Sequence, residues 1–189
     1  MRHLTRLLFA GLLLVGCAHI ASATAIELLL TDEVGNSALI NSAGTLILTG
    51  AASGTATVNL ATNNYTFDGS VGAYTVLITG EGSPGLTPGS LYLFAPLVSS
   101  SSTTGLLRIA VSEDGISTSF PGWNMGFSAA FTSNPETIGS VTNIAFADNS
   151  NAFFGMGNPI GAIGPFGPTG GGTIIASKTS GSVGVPCIH

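Results

Sequence analysis

Ala73-Tyr74-Thr75-Val76-Leu77-Ile78-Thr79 decides the fold class. In an extended chain successive side chains point to opposite faces, so Tyr74, Val76 and Ile78 share one face, while Ala73, Thr75, Leu77 and Thr79 share the other. β-branched and aromatic residues dominate the run, as on a pleated and half-buried surface. No comparable stretch of the chain body shows the 3.6-residue repeat of an amphipathic helix.

Outward from this stretch the same pattern recurs in short runs separated by Gly, Asn, Asp, Ser and Pro. The candidate strands are 26–31, 45–49, 55–60, 73–79, 91–98, 106–112, 125–132, 141–147 and 173–177. About nine short strands with frequent turn signals predict an all-β fold, an antiparallel β-sandwich with a jelly-roll-like arrangement. An up-and-down barrel is the alternative, because spacing alone does not separate the two. Glu113-Asp114-Gly115 supplies turn chemistry after the strand that ends near Ser112, since Asp-Gly tolerates positive φ.

Three stretches read as loops. Residues 80–89 contain Pro84 and Pro88, which lack donors for a central ladder. Residues 99–104 are six consecutive hydroxyl residues. In 155–172, eight glycines and three prolines fill 18 positions, and Gly161, Gly164, Gly167 and Gly170 recur every third residue as in collagen. Three triplets are too few for a triple helix, so the expectation is an extended, polyproline-like loop with Ile160, Ile163 and Phe166 packing inward. A phosphate-binding loop would need a following Gly-Lys-Ser or Gly-Lys-Thr, and no lysine precedes Lys178.

Composition narrows the function classes. Only 7% of the 189 residues are charged, against roughly 25% in ordinary soluble domains. The 21 serines and 21 threonines make the polar surface one of neutral hydroxyls. Residues 1–25 have the three parts of an export signal: Arg2 and Arg6, an apolar stretch from Leu7 to Val15, and the small-residue cleavage site Ala23-Thr24-Ala25. That apolar stretch is shorter than the ~20 residues a bilayer span requires, so no transmembrane anchor is expected. Within the same segment Leu14-Val15-Gly16-Cys17 resembles a lipobox, which makes Cys17 a lipidation candidate and an envelope lipoprotein the alternative to a released protein.

Cleavage after Ala25 leaves a single domain, 26–185, and a short tail, 186–189, with Arg108 and Lys178 facing nine acids. Such a surface repels a phosphate backbone, which excludes nucleic acid as a partner. Cys187 is then without a second cysteine in the chain, so no intramolecular disulfide is expected. The remaining imidazole is His189, at the last residue, where a general base is not held to hydrogen-bonding precision. The expectation is therefore a protein without catalytic residues or a required cofactor. A hydrolase built on two carboxylates across a cleft would need a pairing that the linear sequence does not display.

Two binding readings stay open. Asp32-Glu33 with Asn36, and Asp148-Asn149 with Asn151, are oxygen-rich runs suited either to calcium or to Asx-type turn capping; neither fits an EF-hand loop. Trp123, the single tryptophan, suits a carbohydrate-stacking platform or packing over the edge of a core.

Three segments, Ile26-Glu27-Leu28-Leu29-Leu30-Thr31-Asp32, Asp68-Gly69-Ser70-Val71-Gly72-Ala73-Tyr74-Thr75-Val76 and Asn151-Ala152-Phe153-Phe154-Gly155, resemble the opening strand, a "G-x-V-G-x-[YF]-x-V" strand and a late "N-A-[LF]-F-G" loop of the exported PEP-CTERM family of Gram-negative bacteria. The resemblance would cover most of 26–185. It implies a cell-surface or extracellular-matrix role, with exopolysaccharide or other matrix proteins as partners, and it carries over no catalytic residues. Family members end in Pro-Glu-Pro, a transmembrane helix and an arginine cluster; here Val185-Pro186 is followed by Cys187-Ile188-His189. The expectation is a truncated or released member, to which the sorting function does not transfer.

Overall fold

The computed structural model describes residues 25–82, 91–101, 105–115, 123–131, 140–147, 152–166 and 172–180. Strands β1 (Ile26–Asp32), β2 (Ser37–Ile40) and β3 (Leu46–Thr49) form a meander. A second meander follows: β4 (Ala52–Asn59), β5 (Asn64–Val71), β6 (Tyr74–Glu81) and β7 (Tyr92–Ser100). Strand β8 (Leu107–Glu113) then returns to the first sheet and pairs along the whole of β1, from Ile26↔Glu113 to Asp32↔Leu107. Beyond it come β9 (Trp123–Phe131), β10 (Val141–Ala147), β11 (Asn158–Phe166) and β12 (Gly172–Ser180), in two-stranded ribbons β9 with β12 and β10 with β11. Every pairing is antiparallel. Among the described residues there is no helix long and apolar enough to cross a membrane.

The first eight strands are a sandwich because their alternation gives each sheet one apolar face. In β1, Ile26, Leu28 and Leu30 are fully buried, and the partners across the ladder, Ile40 opposite Leu28 and Ala38 opposite Leu30, are buried with them. The second sheet contributes Tyr65, Phe67, Val71, Val76 and Ile78 to the same cluster. Leu107, Ile109 and Val111 of β8 pack against its side. Each large apolar side chain buried in this way adds about 1.5–3 kcal/mol.

Asx turns join the strands of the first sheet. Asp32 Oδ1 accepts the N–H of Val34 at 3.0 Å and of Asn36 at 2.9 Å. Asn41 Oδ1 repeats the arrangement with Ala43 and Thr45, at 3.1 and 2.9 Å. In both turns the side chain stands in for a backbone acceptor two residues on, which is why Asp and Asn are found there. In the second sheet Val71 pairs with Tyr74 across a two-residue turn whose first residue is Gly72, at φ 57°, as in a type II′ hairpin.

The antiparallel sandwich matches the expectation; its details differ in five places. Twelve strands are described where about nine were expected, the additions being β2, β5 and β11. The connectivity is two stacked meanders closed by β8, and the jelly-roll-like arrangement gives way because successive strands stay within one sheet. The Gly-Pro stretch expected as a loop contains β11, which pairs with β10 through two register shifts. A two-stranded ribbon leaves one edge of each strand free, so prolines cost little there. Ile163 is buried, as expected for that segment. Ser99 and Ser100, expected to start a loop, complete β7. The quoted resemblance segment around Gly72 is likewise a hairpin, β5 turning into β6.

Candidate functional site

Several turns meet at one end of the sandwich. Asp32 Oδ2 accepts the side-chain amide of Asn36 at 2.7 Å, while Asn36 Oδ1 accepts the N–H of Ala51 at 2.7 Å. The Ala51 carbonyl in turn accepts the N–H of Gly72 at 2.9 Å. The β1–β2 turn, the β3–β4 link and the β5–β6 turn are thereby tied in series. An open hollow of about 180 Å3 lies over them, lined by Asp32, Glu33, Asn36, Gly72, Tyr74 and Gly105 among others.

The electrostatics of this hollow follow from those bonds. Burial opposes ionisation of Asp32, but the Asn36 side chain and the backbone N–H groups of Asn36, Val34 and Gly35 outweigh it, and the carboxyl is held below its ordinary value. Burial, then the charges of Glu33 and Asp32, push the Tyr74 phenol up. Both oxygens of Asp32, a calcium candidate in the sequence, thus already accept hydrogen bonds from the turn. Glu33 beside it is exposed. Among the described residues no group of three or more His, Cys, Asp or Glu is placed to hold a metal ion.

Other carboxylates also hold backbone. Glu27 Oε1 accepts the N–H of Ser42 at 3.1 Å, and Asp114 Oδ1 accepts that of Ala25 at 3.1 Å. The Tyr65 hydroxyl donates to the Ser42 carbonyl at 3.3 Å. Burial, then the Glu27 charge, push that phenol up.

The second candidate is the outer face of the β4–β7 sheet. Because Tyr65, Phe67, Val76 and Ile78 face the core, the residues between them face out. The ladders set these in rows across the strands. One row runs Thr57, Thr66, Thr79, Phe94, and its neighbour Asn59, Asn64, Glu81, Tyr92. On the other side lie Thr55, Asp68, Leu77, Leu97 and then Ser53, Ser70, Thr75, Ser99. Hydroxyls meet across the strands, Thr66 with Thr79 at 3.0 Å and Ser53 with Ser70 at 2.9 Å. Strands lie about 4.8 Å apart and successive rows about 6.8 Å apart, and the grid is interrupted at β7, where the register shifts between Leu77 and Thr79.

Tyr92 and Phe94 close the first two rows. They sit two residues apart on β7, so both rings project from the same side, nearly parallel at 15° with centroids 6.3 Å apart. Tyr92 is 50% and Phe94 49% exposed, and with Leu93, Leu97 and Val98 they make β7 an exposed apolar strand at the edge of its sheet.

Of the residues singled out in the sequence, Asp32 and Glu33 fall in the turn cluster. Cys17, Asp148 and Asn149 lie outside the described residues. Trp123 opens β9, its backbone paired with Ser180. Tyr92 and Phe94 were not singled out, although their spacing within Leu91-Tyr92-Leu93-Phe94 is the signal that two rings share a face. Apolar residues on both sides of that run conceal which face is solvated.

Comparison with protein-family models, with curated proteins and with solved structures finds no match to this chain.

Proposed function

We propose that the protein is an exported, non-enzymatic component of the cell surface or extracellular matrix of a Gram-negative bacterium, associated with exopolysaccharide. The observation that carries this reading is the broad outer face of the β4–β7 sheet, half-buried to exposed, rich in hydroxyl and amide groups and without a cation in its four rows. A matrix of hydrated polymer is matched by neutral hydroxyl and amide groups rather than by charge. The commitment of Glu27 and Asp32 to backbone N–H groups supports a structural use of these acids over a catalytic one. The three-part segment at residues 1–25 and the resemblance to PEP-CTERM proteins point the same way. Cleavage after Ala25 would start the mature chain at Ile26, the first residue of β1 and the ladder partner of Glu113, and so would leave the β1–β8 pairing whole.

The test is the intact mass and cell fraction of the full chain expressed in a Gram-negative host. The reading expects a mass beginning at Ile26 in the extracellular or matrix fraction. A diacylated mass beginning at Cys17 in the membrane fraction would establish the lipoprotein alternative. An unprocessed chain retained in the cytoplasm would overturn export altogether.

A further inference from the structure

We propose that the outer face of the β4–β7 sheet is a binding platform for a neutral polysaccharide chain, with Tyr92 and Phe94 as its stacking surface and the threonine row beside them as its hydrogen-bonding surface. The inference sharpens the matrix reading by assigning a site and a ligand class, and it is tested on purified protein, so a failure of export leaves it standing.

A pyranose ring has an apolar face of C–H groups and an edge of hydroxyls. The C–H face is complementary to the electron-rich face of an aromatic ring. Tyr92 and Phe94 bring two such rings together, nearly parallel and with centroids 6.3 Å apart, each residue about half in water. Their cross-strand neighbours are Glu81 and Thr79, so a sugar lying on the rings meets polar groups at once. Thr79 and Thr66 share one hydrogen bond at 3.0 Å. One hydroxyl of that pair keeps its proton free to donate elsewhere, and both oxygens keep acceptor capacity. These side chains are short, stiff and held by the ladder, so little conformational entropy remains to be lost on binding.

Charge selects the ligand class. The four rows contain no Lys or Arg, and their ionised groups are Asp68 and Glu81. A uronate, sulfate or phosphate polymer would be repelled, while a neutral glycan loses nothing. A second copy of the chain is the competing occupant: face-to-face packing is what sedimentation velocity separates below, while edge-to-edge pairing is disfavoured at β7. Pro96 lies in it, and the β6–β7 register shifts between Leu77 and Thr79. A proline and a bulge are common devices that keep an edge strand from pairing.

The experiment is native affinity electrophoresis of the purified full chain in gels containing hydroxyethylcellulose, laminarin or dextran, with alginate as the anionic control and sedimentation velocity alongside. The expected result is retardation by at least one neutral polymer, little changed by salt, and none by alginate. Tyr92→Ala with Phe94→Ala should weaken that retardation about tenfold or more, whereas Tyr92→Phe, which keeps the ring, retains most of it. Thr66→Val with Thr79→Val, which removes the hydroxyls and keeps the shape, should also weaken it. No retardation in any neutral polymer, retardation in alginate alone, or binding undiminished in a double-alanine variant with wild-type circular dichroism would each overturn the proposal. So would a wild-type dimer that binds no glycan and becomes monomeric in that variant, since the rings would then serve a second copy.

Discussion

Replacing Asp32 by alanine removes three hydrogen bonds at once, two from backbone N–H groups and one from the Asn36 amide. The variant should melt at a lower temperature than the parent, as followed by circular dichroism. The pH dependence has a definite sign. The folded protein holds the Asp32 carboxyl below its ordinary value of 3.8, so its contribution is fully present above about that pH and is lost as pH falls through the folded value. Asp32→Asn keeps an acceptor but cannot titrate, so its melting temperature should fall less steeply with acid than that of the parent. Gly72 tests the same cluster sterically. Its φ is 57°, and a Cβ there would run into Asp32 Oδ2. Gly72→Ala should destabilise the protein by about 1 kcal/mol or more in urea unfolding, combining a left-handed backbone with a displaced carboxylate.

Strand β5 carries the largest side chains of the core, Tyr65 and Phe67, both fully buried. Phe67→Ala should cost about 3–5 kcal/mol in chemical unfolding, the range for an emptied aromatic site. Yet β5 is not among the candidate strands of the sequence, because Asp68 and Gly69 are poor strand formers. In the ladder Gly69 faces Gly54 in mid-strand, and the Phe67 ring lies over the pair: a Cβ on Gly69 would meet the Gly54 Cα at 2.6 Å and Phe67 Cζ at 2.9 Å. The glycines are thus a close approach of two backbones, which local turn preference does not reveal. β11 was hidden for a related reason, its Gly-Pro triplets being compatible with an edge in a two-stranded ribbon. Conversely β1 and β6 were legible because one face of each is buried and the period of two is clean. The turn role of Asp32 was also legible, as one of two readings; the ring pair on β7 was not, since Tyr92 and Phe94 alternate with Leu91 and Leu93.

With 7% charged residues, the molecule as a whole has little electrostatic stabilisation to lose. Its melting temperature should move by no more than about 2 °C between low and moderate sodium chloride. Alternation identifies faces and is silent about partners, so the sandwich could be read from the sequence while the order of its strands could not. That order bears on how the chain reaches its folded form. β1 gains its second neighbour only when β8 arrives, and all of β2 to β7 lies between them. A ribosome or a translocation pore delivers β1 first, so the opening strand waits with one bare edge while the entire second sheet is made. Such distant pairing is slow. During that wait the edge of β1 is an open template for any extended neighbour, and only the arrival of the closing strand covers it.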